Sequence, residues 1–414
     1  MLITFKSIII YCVAGGTHYN GYNKTSFYLT DFNSVESMLE SAVLSIISKY
    51  NNYIVYIHNL SNFDGIFLLK ILVKIGYLKP IINDSRIISL QLSDGNNSLR
   101  FYDSYQLLPL SLSKLAQTFN VENKGIFPYN FLINTNNQLL YKGDVPDIKY
   151  FNDISDLEYQ EYSNKFTSTR ASAQWDLKNE TIKYCLQDCI SLYQVIDKFS
   201  DFVYKHFSVN IYDCPTLPSL SFKIFRTVFM TKDSIPQISG DIANSIRESY
   251  TGGSVDSYIP EGNNLYAYDV NSLYPFVMKN FDMPVGDPTY FYGDITKDYP
   301  NAFGFFNVEV TCPEDLKNPI IQLHYKTKDG IRTVAPTGKF NTMLFSEEIN
   351  NALKFGYKFK VLSGYTFDKA NVFDNFVKSL YKIRTSYPKS NPMNLIAKLL
   401  MNSLYLPFRG PIIY

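Results

Sequence analysis

Tyr53 to Ile75 constrains the fold class more tightly than any other stretch. Tyr53 to Ile57 is an aromatic and β-branched run that reads as a strand. A short polar loop, His58 to Gly65, separates it from Ile66 to Ile75, an apolar run of helical character. A strand delivered straight into a helix is an α/β unit, and polar residues in its loop stand at the strand's carboxyl end, where ligand sites form. This loop carries Asn59 and Asp64, which admit two roles: ligand-holding groups, or an Asx turn followed by a helix N-cap. The same alternation continues on both sides. Val35, Met38, Leu39, Val43, Leu44 and Ile47 predict a helix over Ser34 to Lys49, capped by Asn33 or Ser34. Ile87 to Leu92 and Leu99 to Tyr102 predict strands, followed by Asp103-Ser104-Tyr105 and a helix over Leu112 to Phe119.

With 414 residues the chain exceeds what a single core holds, so two or more domains are expected. Its 39 Lys and Arg nearly cancel its 38 Asp and Glu, so any attraction for a polyanion must come from a local patch. No run approaches the ~20 apolar residues that span a bilayer, and no membrane partner is expected. Lys6 followed by Ile8 to Ala14 fits either a short signal peptide or, paired with Thr25 to Leu29, a hairpin. Five scattered cysteines argue against a disulfide framework and fit a reducing compartment; Cys185 and Cys189, on one predicted helix, read as core and not as zinc ligands.

Asp144 to Asp176 is polar and less regular. From Glu180 to Phe207 the apolar spacing predicts a long amphipathic helix on which Tyr184 and Asp188 share a face. Pro215 and Pro218 mark a boundary near Val209 to Leu220, ahead of a helix around Ser221 to Phe229. Tyr250-Thr251-Gly252-Gly253 is either an ordinary glycine turn or a place where backbone approaches a partner closely. Leu265 to Tyr268 predicts a strand that ends at Asp269, before a turn and a short helix. Such a carboxylate can hold a hard cation against phosphate oxygens, or simply start a turn. Gly304 to Val310 and Gly330 to Thr337 predict strands, and Ser346 to Phe355 a helix. From Asn375 to Tyr405 the chain carries Lys378, Lys382, Arg384, Lys389 and Lys398 and no acid. Its last helix, capped by Ser390 or Asn391 with Pro392 in the first turn, sets Lys398, Asn402 and Tyr405 in one polar stripe, either a solvated face or a ligand-facing one.

In this order the pieces resemble family B DNA polymerases, in particular the protein-primed branch of mitochondrial linear plasmids and some phages. Asp269 to Pro275 resembles polymerase motif A, and Lys398 to Tyr405 resembles motif B. Tyr250 to Gly253 is similar to the Tyr-x-Gly-Gly element between the exonuclease and polymerase domains. Asn59 to Asp64 and Tyr184-x-x-x-Asp188 are similar to the second and third exonuclease motifs. The resemblance implies an α/β fold: a ribonuclease-H-like 3′-5′ exonuclease domain over residues 1–208, then a linker and partial palm over 209–280. An insertion like the terminal-protein region would cover 281–370, the fingers 371–405, and a divergent tail 406–414.

The resemblance also implies roles. Asp269 would hold Mg2+ at a two-cation site, Leu273 and Tyr274 would lie at the incoming nucleotide, and Lys398 with Arg384 would meet its triphosphate. Asn402 and Tyr405 would face the nascent base pair. In the exonuclease, Asp64 and Asp188 would ligate metal, Tyr184 would orient the attacking water, and Lys142 would assist. His58, Asn59, Phe63, Ser104 and Tyr105 would grip single-stranded DNA, and Tyr250, Gly252 and Gly253 would also contact DNA. Template-primer DNA, deoxynucleoside triphosphates and a terminal protein primer are the implied partners, and the mitochondrion the implied compartment.

The chain departs from the family pattern in three places. No acidic residue precedes Asp31, where the first exonuclease motif, Asp-x-Glu, is expected; Asp156-Leu157-Glu158 has those letters but lies in a polar loop after the second motif. Leu406 replaces the glycine expected after Tyr405, and no Asp-x-Asp supplies the second palm carboxylate. The expectation is a polymerase polypeptide truncated at both ends, with little activity as an isolated chain. The rival expectation is a non-catalytic DNA binder or degenerate remnant.

Overall fold

A computed structural model describes residues 12–18, 22–122, 125–134, 139–152, 154–167, 174–231, 235, 237–253, 259–328 and 330–405. The chain divides into two compact bodies, Met1–Val228 with Leu380–Tyr414, and Phe229–Ser379. Met1 to Tyr11 and the tail from Leu406 lie outside the described residues. No helix among those described is long and apolar enough to cross a membrane.

In the first body, β1 (Cys12–His18) and β2 (Tyr22–Tyr28) pair as an antiparallel hairpin. α1 (Val35–Lys49) is closed by a reciprocal cap: Ser37 N–H donates to Ser34 Oγ and Ser34 N–H to Ser37 Oγ, which satisfies first-turn donors. Then come β3 (Tyr53–Ile57), α2 (Asp64–Ile75), β4 (Tyr77–Asn83), β5 (Arg86–Ser93) and β6 (Ser98–Asp103). The sheet order is β3-β6-β5-β4, with β3 parallel to β6 and the other pairs antiparallel. Leu39 and Val43 of α1, Ile71 and Leu72 of α2, and Leu90 and Leu99 of the sheet share one core. Because β3 and β6 run parallel with Ile57 beside Asp103, the loops after both strands leave from the same edge.

α3 (Ser104–Leu107), α4 (Leu112–Phe119), α5 (Tyr129–Asn134), β7 (Lys142–Gly143), α6 (Asp156–Thr167), β8 (Trp175–Asp176) and α7 (Leu177–Phe207) follow. The stretch expected as irregular contains α6. Glu158 accepts from the Ser155 backbone N–H and hydroxyl, so Asp156-Leu157-Glu158 is the first turn of a capped helix and not a loop. Phe127, Phe151, Tyr162, Trp175 and Tyr184 form a second core against the start of α7. On α7, Cys185 and Cys189 are half-buried and form no disulfide among the described residues; burial pushes the Cys189 thiol up to about 12, in keeping with a core role. α8 (Leu217–Ile224) carries Pro218 in its first turn, behind the Thr216 cap.

The second body holds α9 (Gly240–Glu248), α10 (Leu273–Asn280), β9 (Met283–Tyr292), β10 (Gly304–Cys312), β11 (Leu323–Thr327), β12 (Gly330–Val334), β13 (Gly338–Phe345), α11 (Ser346–Leu353) and β14 (Lys358–Ala370). Its main sheet is antiparallel in the order β13-β10-β14-β9, and β11 with β12 is a separate hairpin. Gly330 to Thr337 is not one strand, because β12 stops before Pro336, which has no N–H to give a ladder. Burial alternates along β10: Phe306, Val308, Val310 and Cys312 pack with Leu344, Ile349 and Tyr357. The strand expected at Leu265 to Tyr268 does not form. That segment is irregular, with Leu265 81% and Tyr268 92% exposed, and it pairs with no strand among the described residues; a ladder partner is what makes a strand.

α12 (Asp374–Ser386) follows. Last comes α13 (Pro392–Ser403), where Asn391 caps the helix by accepting from Met393 N–H at 2.9 Å. Its apolar side, Ile396, Ala397, Leu400 and Met401, is buried, and Ser221 of α8 donates its hydroxyl to the Leu400 carbonyl at 2.7 Å.

Candidate active-site residues

The loops leaving β3 and β6 are tied together by Asp103, which is 1% exposed. One carboxylate oxygen accepts from Asn59 N–H (2.9 Å) and Tyr105 N–H (3.0 Å), the other from Ser61 N–H (3.0 Å). Charge-assisted bonds of this kind are strong, and three of them fix the course of the loop. Asn59 sits in the left-handed region at φ 68, its side-chain Oδ1 accepting from Asn62 Nδ2 at 2.7 Å. At Gly65 a Cβ would lie 2.8 Å from the Leu60 carbonyl oxygen, so only glycine lets α2 start this close to the loop. Asp64 is the first residue of α2, and Phe63 occupies the cap position without a side-chain bond; the N-cap role weighed for Asp64 is not the one it has. Burial, and to a lesser degree the Asp103 carboxylate, push the Asp64 carboxyl above the ordinary aspartate range, against its own backbone hydrogen bond.

The residues expected to grip single-stranded DNA divide into two groups. His58 Nδ1 bonds Ser104 Oγ and Nε2 bonds the Leu110 carbonyl, both at 3.0 Å, and Ser104 is 1% exposed. These two residues brace the loops from inside, because parallel β3 and β6 bring them face to face. Phe63 and Tyr105, in contrast, leave their rings in solvent, 50% and 37% exposed.

On α7, one turn brings Tyr184 and Asp188 together, as their spacing requires, and the Tyr184 hydroxyl bonds both Asp188 and the Tyr129 hydroxyl. The Tyr184 ring lies 5.2 Å from that of Phe127, and a Cβ on Gly125 would come within 3.0 Å of it. Burial, then the Asp188 charge, then Tyr129 hold the Tyr184 hydroxyl far above its ordinary range, so it stays protonated and can donate. Tyr129 was not singled out by sequence reasoning; the compact Gly125 to Tyr129 segment before α5 carries no periodicity to flag it. Lys142 is placed elsewhere. It pairs at 3.0 Å with Asp176, the N-cap of α7, while Asp188 lies roughly three turns further along, about 18 Å by helix rise. The structure does not bring Lys142 to the Tyr184–Asp188 turn.

In the second body, Asp269 lies exposed in the irregular segment ahead of α10. Leu273 and Tyr274 open α10 at 49% and 52% exposure. The Tyr250 carbonyl accepts from His324 Nε2 at 3.1 Å. Gly252 and Gly253 have neither positive φ nor, among the described residues, any neighbour that a Cβ would meet, so nothing in the packing described calls for glycine there. In the first body, Lys398 projects from α13 into solvent, and the Asn402 side-chain oxygen is buried with no hydrogen-bond partner among the described residues. Tyr405 falls beyond the end of α13, and the Arg384 carbonyl accepts from Asn394 Nδ2 at 2.7 Å.

Residues 45–408 match the family model described as DNA polymerase type B, organellar and viral. The chain belongs to this family. A probable DNA polymerase of Neurospora intermedia is 40% identical to it over 94% of this chain and 42% of its own length. A second, of Ascobolus immersus, is 38% identical over 94% of this chain and 33% of its own length. The type B chain thus spans less than half of either relative. A solved structure of phi29 DNA polymerase, complexed with primer-template DNA and incoming nucleotide substrates, matches 96% of this chain and 68% of its own with a TM-score of 0.59 at 20% identity, a likeness of fold.

The type B residues described do not by themselves complete a cation site. A hard divalent cation takes about six or more oxygen ligands. Asp269 is a single exposed carboxylate, Asp103 already spends both oxygens on amides, and no group of three or more His, Cys, Asp or Glu is gathered among the described residues.

Proposed function

We propose that this type B chain acts in protein-primed replication of a mitochondrial genome or linear plasmid, as part of a DNA-directed DNA polymerase with 3′-5′ exonuclease ancestry. The observation that carries this reading is the polar stripe of α13. A buried carbonyl oxygen without a partner is costly and is explained when a ligand satisfies it, and Asn402 has one that is unpartnered among the described residues, one turn from the solvent-facing Lys398. Lys398, with Arg384, would hold the triphosphate of an incoming deoxynucleotide, Asn402 and Tyr405 would meet the base pair, and Leu273 and Tyr274 would flank the nucleotide. Asp269 would contribute one carboxylate for Mg2+, and Tyr250, Gly252 and Gly253 would let backbone approach the primer-template. In the exonuclease-like body Asp64 and Asp188 would be acidic ligands, Tyr184 a hydroxyl donor held by Tyr129, and Phe63, Tyr105 and Asn59 the contacts to an unpaired strand. A terminal protein is the proposed primer, with the insertion over 281–370 as its place on the chain.

Asp269 has no cluster of acidic partners among the described residues, so the 414-residue chain is expected to bind primer-template DNA in a salt-dependent way without extending it. Primer extension with Mg2+ and all four deoxynucleotides, beside Asp269→Asn, tests this. Binding with no extension above that variant is expected. Robust extension that the substitution abolishes would show that the chain completes its own site, and absence of binding would overturn the polymerase reading.

A further inference from the structure

A second ligand face stands on the main sheet of the second body, within the 281–370 insertion, built from residues to which no individual role is given above. Along β10 the buried positions alternate with Phe305, Asn307, Glu309 and Thr311, which share the other face. The ladder supplies their neighbours. Thr311 lies between Lys339 and Lys358, and Glu309 between Asn341 and Lys360. Asn307 lies between Met343 and Ser363, which is next to Tyr292; Phe305 lies between Phe345 and Tyr365, which is next to Tyr290. The face therefore runs from a lysine row, through amides and hydroxyls, to a tyrosine row, about 20 Å by strand rise. Over its middle, Ser245 and Glu248 of α9 close an open cleft of about 310 Å3 above Asn307, Asn341, Ser363 and Tyr365.

Three features of this face point to a polyanion with flat rings. Lys339, Lys358 and Lys360 are exposed and make no ion pair among the described residues. Tyr292 and Tyr290 are 89% and 59% exposed, and the Tyr365 ring lies 5.5 Å from that of Tyr290. The cleft between the two rows offers side-chain amides, hydroxyls and one carboxylate and is walled by a ring, which suits the edge and face of a nucleobase.

We propose that this face binds single-stranded nucleic acid, with the lysines on phosphates, Tyr290, Tyr292 and Tyr365 as stacking surfaces, and one base in the cleft under α9. Cationic tracks with interleaved aromatic rings bind unpaired strands because every base has a π-face. A paired base is stacked and cannot enter the cleft, so duplex is disfavoured. Glu248 is an acceptor only, and it favours a base with an exocyclic amino group, such as cytosine, over thymine. The face is independent of nucleotidyl transfer, so the proposal stands whether or not the chain turns nucleotides over.

The test uses the full chain and short oligonucleotides carrying 5-iodocytosine, with photo-crosslinked peptides mapped by mass spectrometry. Fluorescence anisotropy on cytosine and thymine tracts and on a hairpin duplex runs in parallel. Crosslinks are expected in the peptides that hold Tyr290, Tyr292 or Tyr365. The doubly substituted Lys358→Glu, Lys360→Glu chain should lose at least tenfold in affinity at low salt, and Glu248→Gln should erase the preference for cytosine. Crosslinks confined to the peptides of Phe63 and Tyr105, an unchanged affinity in the double variant, or a loss of duplex affinity in that variant equal to its loss of single-strand affinity would each overturn the proposal.

Discussion

Asp103 shows how much of a site can rest on one buried residue. It gathers the amides of Asn59, Ser61 and Tyr105 and so sets the course of the loop that ends in Asp64. In Asp103→Asn one acceptor oxygen becomes an NH2 group and faces a buried N–H. A loss of about 1–3 kcal/mol in urea unfolding is expected. Asp64 itself responds to pH. Its carboxyl is raised in the folded chain, so its contribution to stability is fully present below the ordinary aspartate pKa of ~3.9 and is lost as pH rises through the folded value. Asp64→Asn is therefore expected to be more stable than the parent chain at neutral pH, with the gap closing on acidification; a gap that does not change with pH would contradict the burial account. At this scale the sequence exposed Tyr184 and Asp188 through their helical spacing, but not Tyr129. It could not show that His58 and Ser104 would turn inward, because that depends on two parallel strands meeting across the chain. The partner of Lys142, Asp176, was hidden for the same reason: it is set by the pairing of β7 with β8.

At the scale of elements, periodicity and caps carried most of the information. α1, β3 and α4 lie where spacing and cap residues put them, since their signals are local. Leu265 to Tyr268 has strand-like residues and no partner strand among those described, and α6 was hidden because its signal is the Ser155–Glu158 cap in a polar stretch and not an apolar stripe. α13 combines both kinds of signal: the Asn391 cap and Pro392 mark its start, while its seat against α8 depends on a contact across the chain, Ser221 to the Leu400 carbonyl. Ser221 is fully buried, so Ser221→Ala is expected to cost about 0.5–1.5 kcal/mol in chemical denaturation and to leave helix content unchanged.

For the molecule as a whole, the α/β class and the family were legible in the order of short motifs, none of which decides alone. The division was not: the first body takes in Met1–Val228 and also Leu380–Tyr414, so residues far apart in the chain fold together, and linear composition does not mark that return. The central functional claim is that α13 meets the triphosphate of an incoming nucleotide. The most direct test is Mg2+-dependent binding of a fluorescent deoxynucleoside triphosphate to the chain on primer-template DNA, compared with Lys398→Ala. Lys398 is exposed, so the variant should fold. Nucleotide affinity is expected to fall at least tenfold, about 1.4 kcal/mol or more, with primer-template affinity unchanged; equal nucleotide affinities in the two chains would contradict the claim.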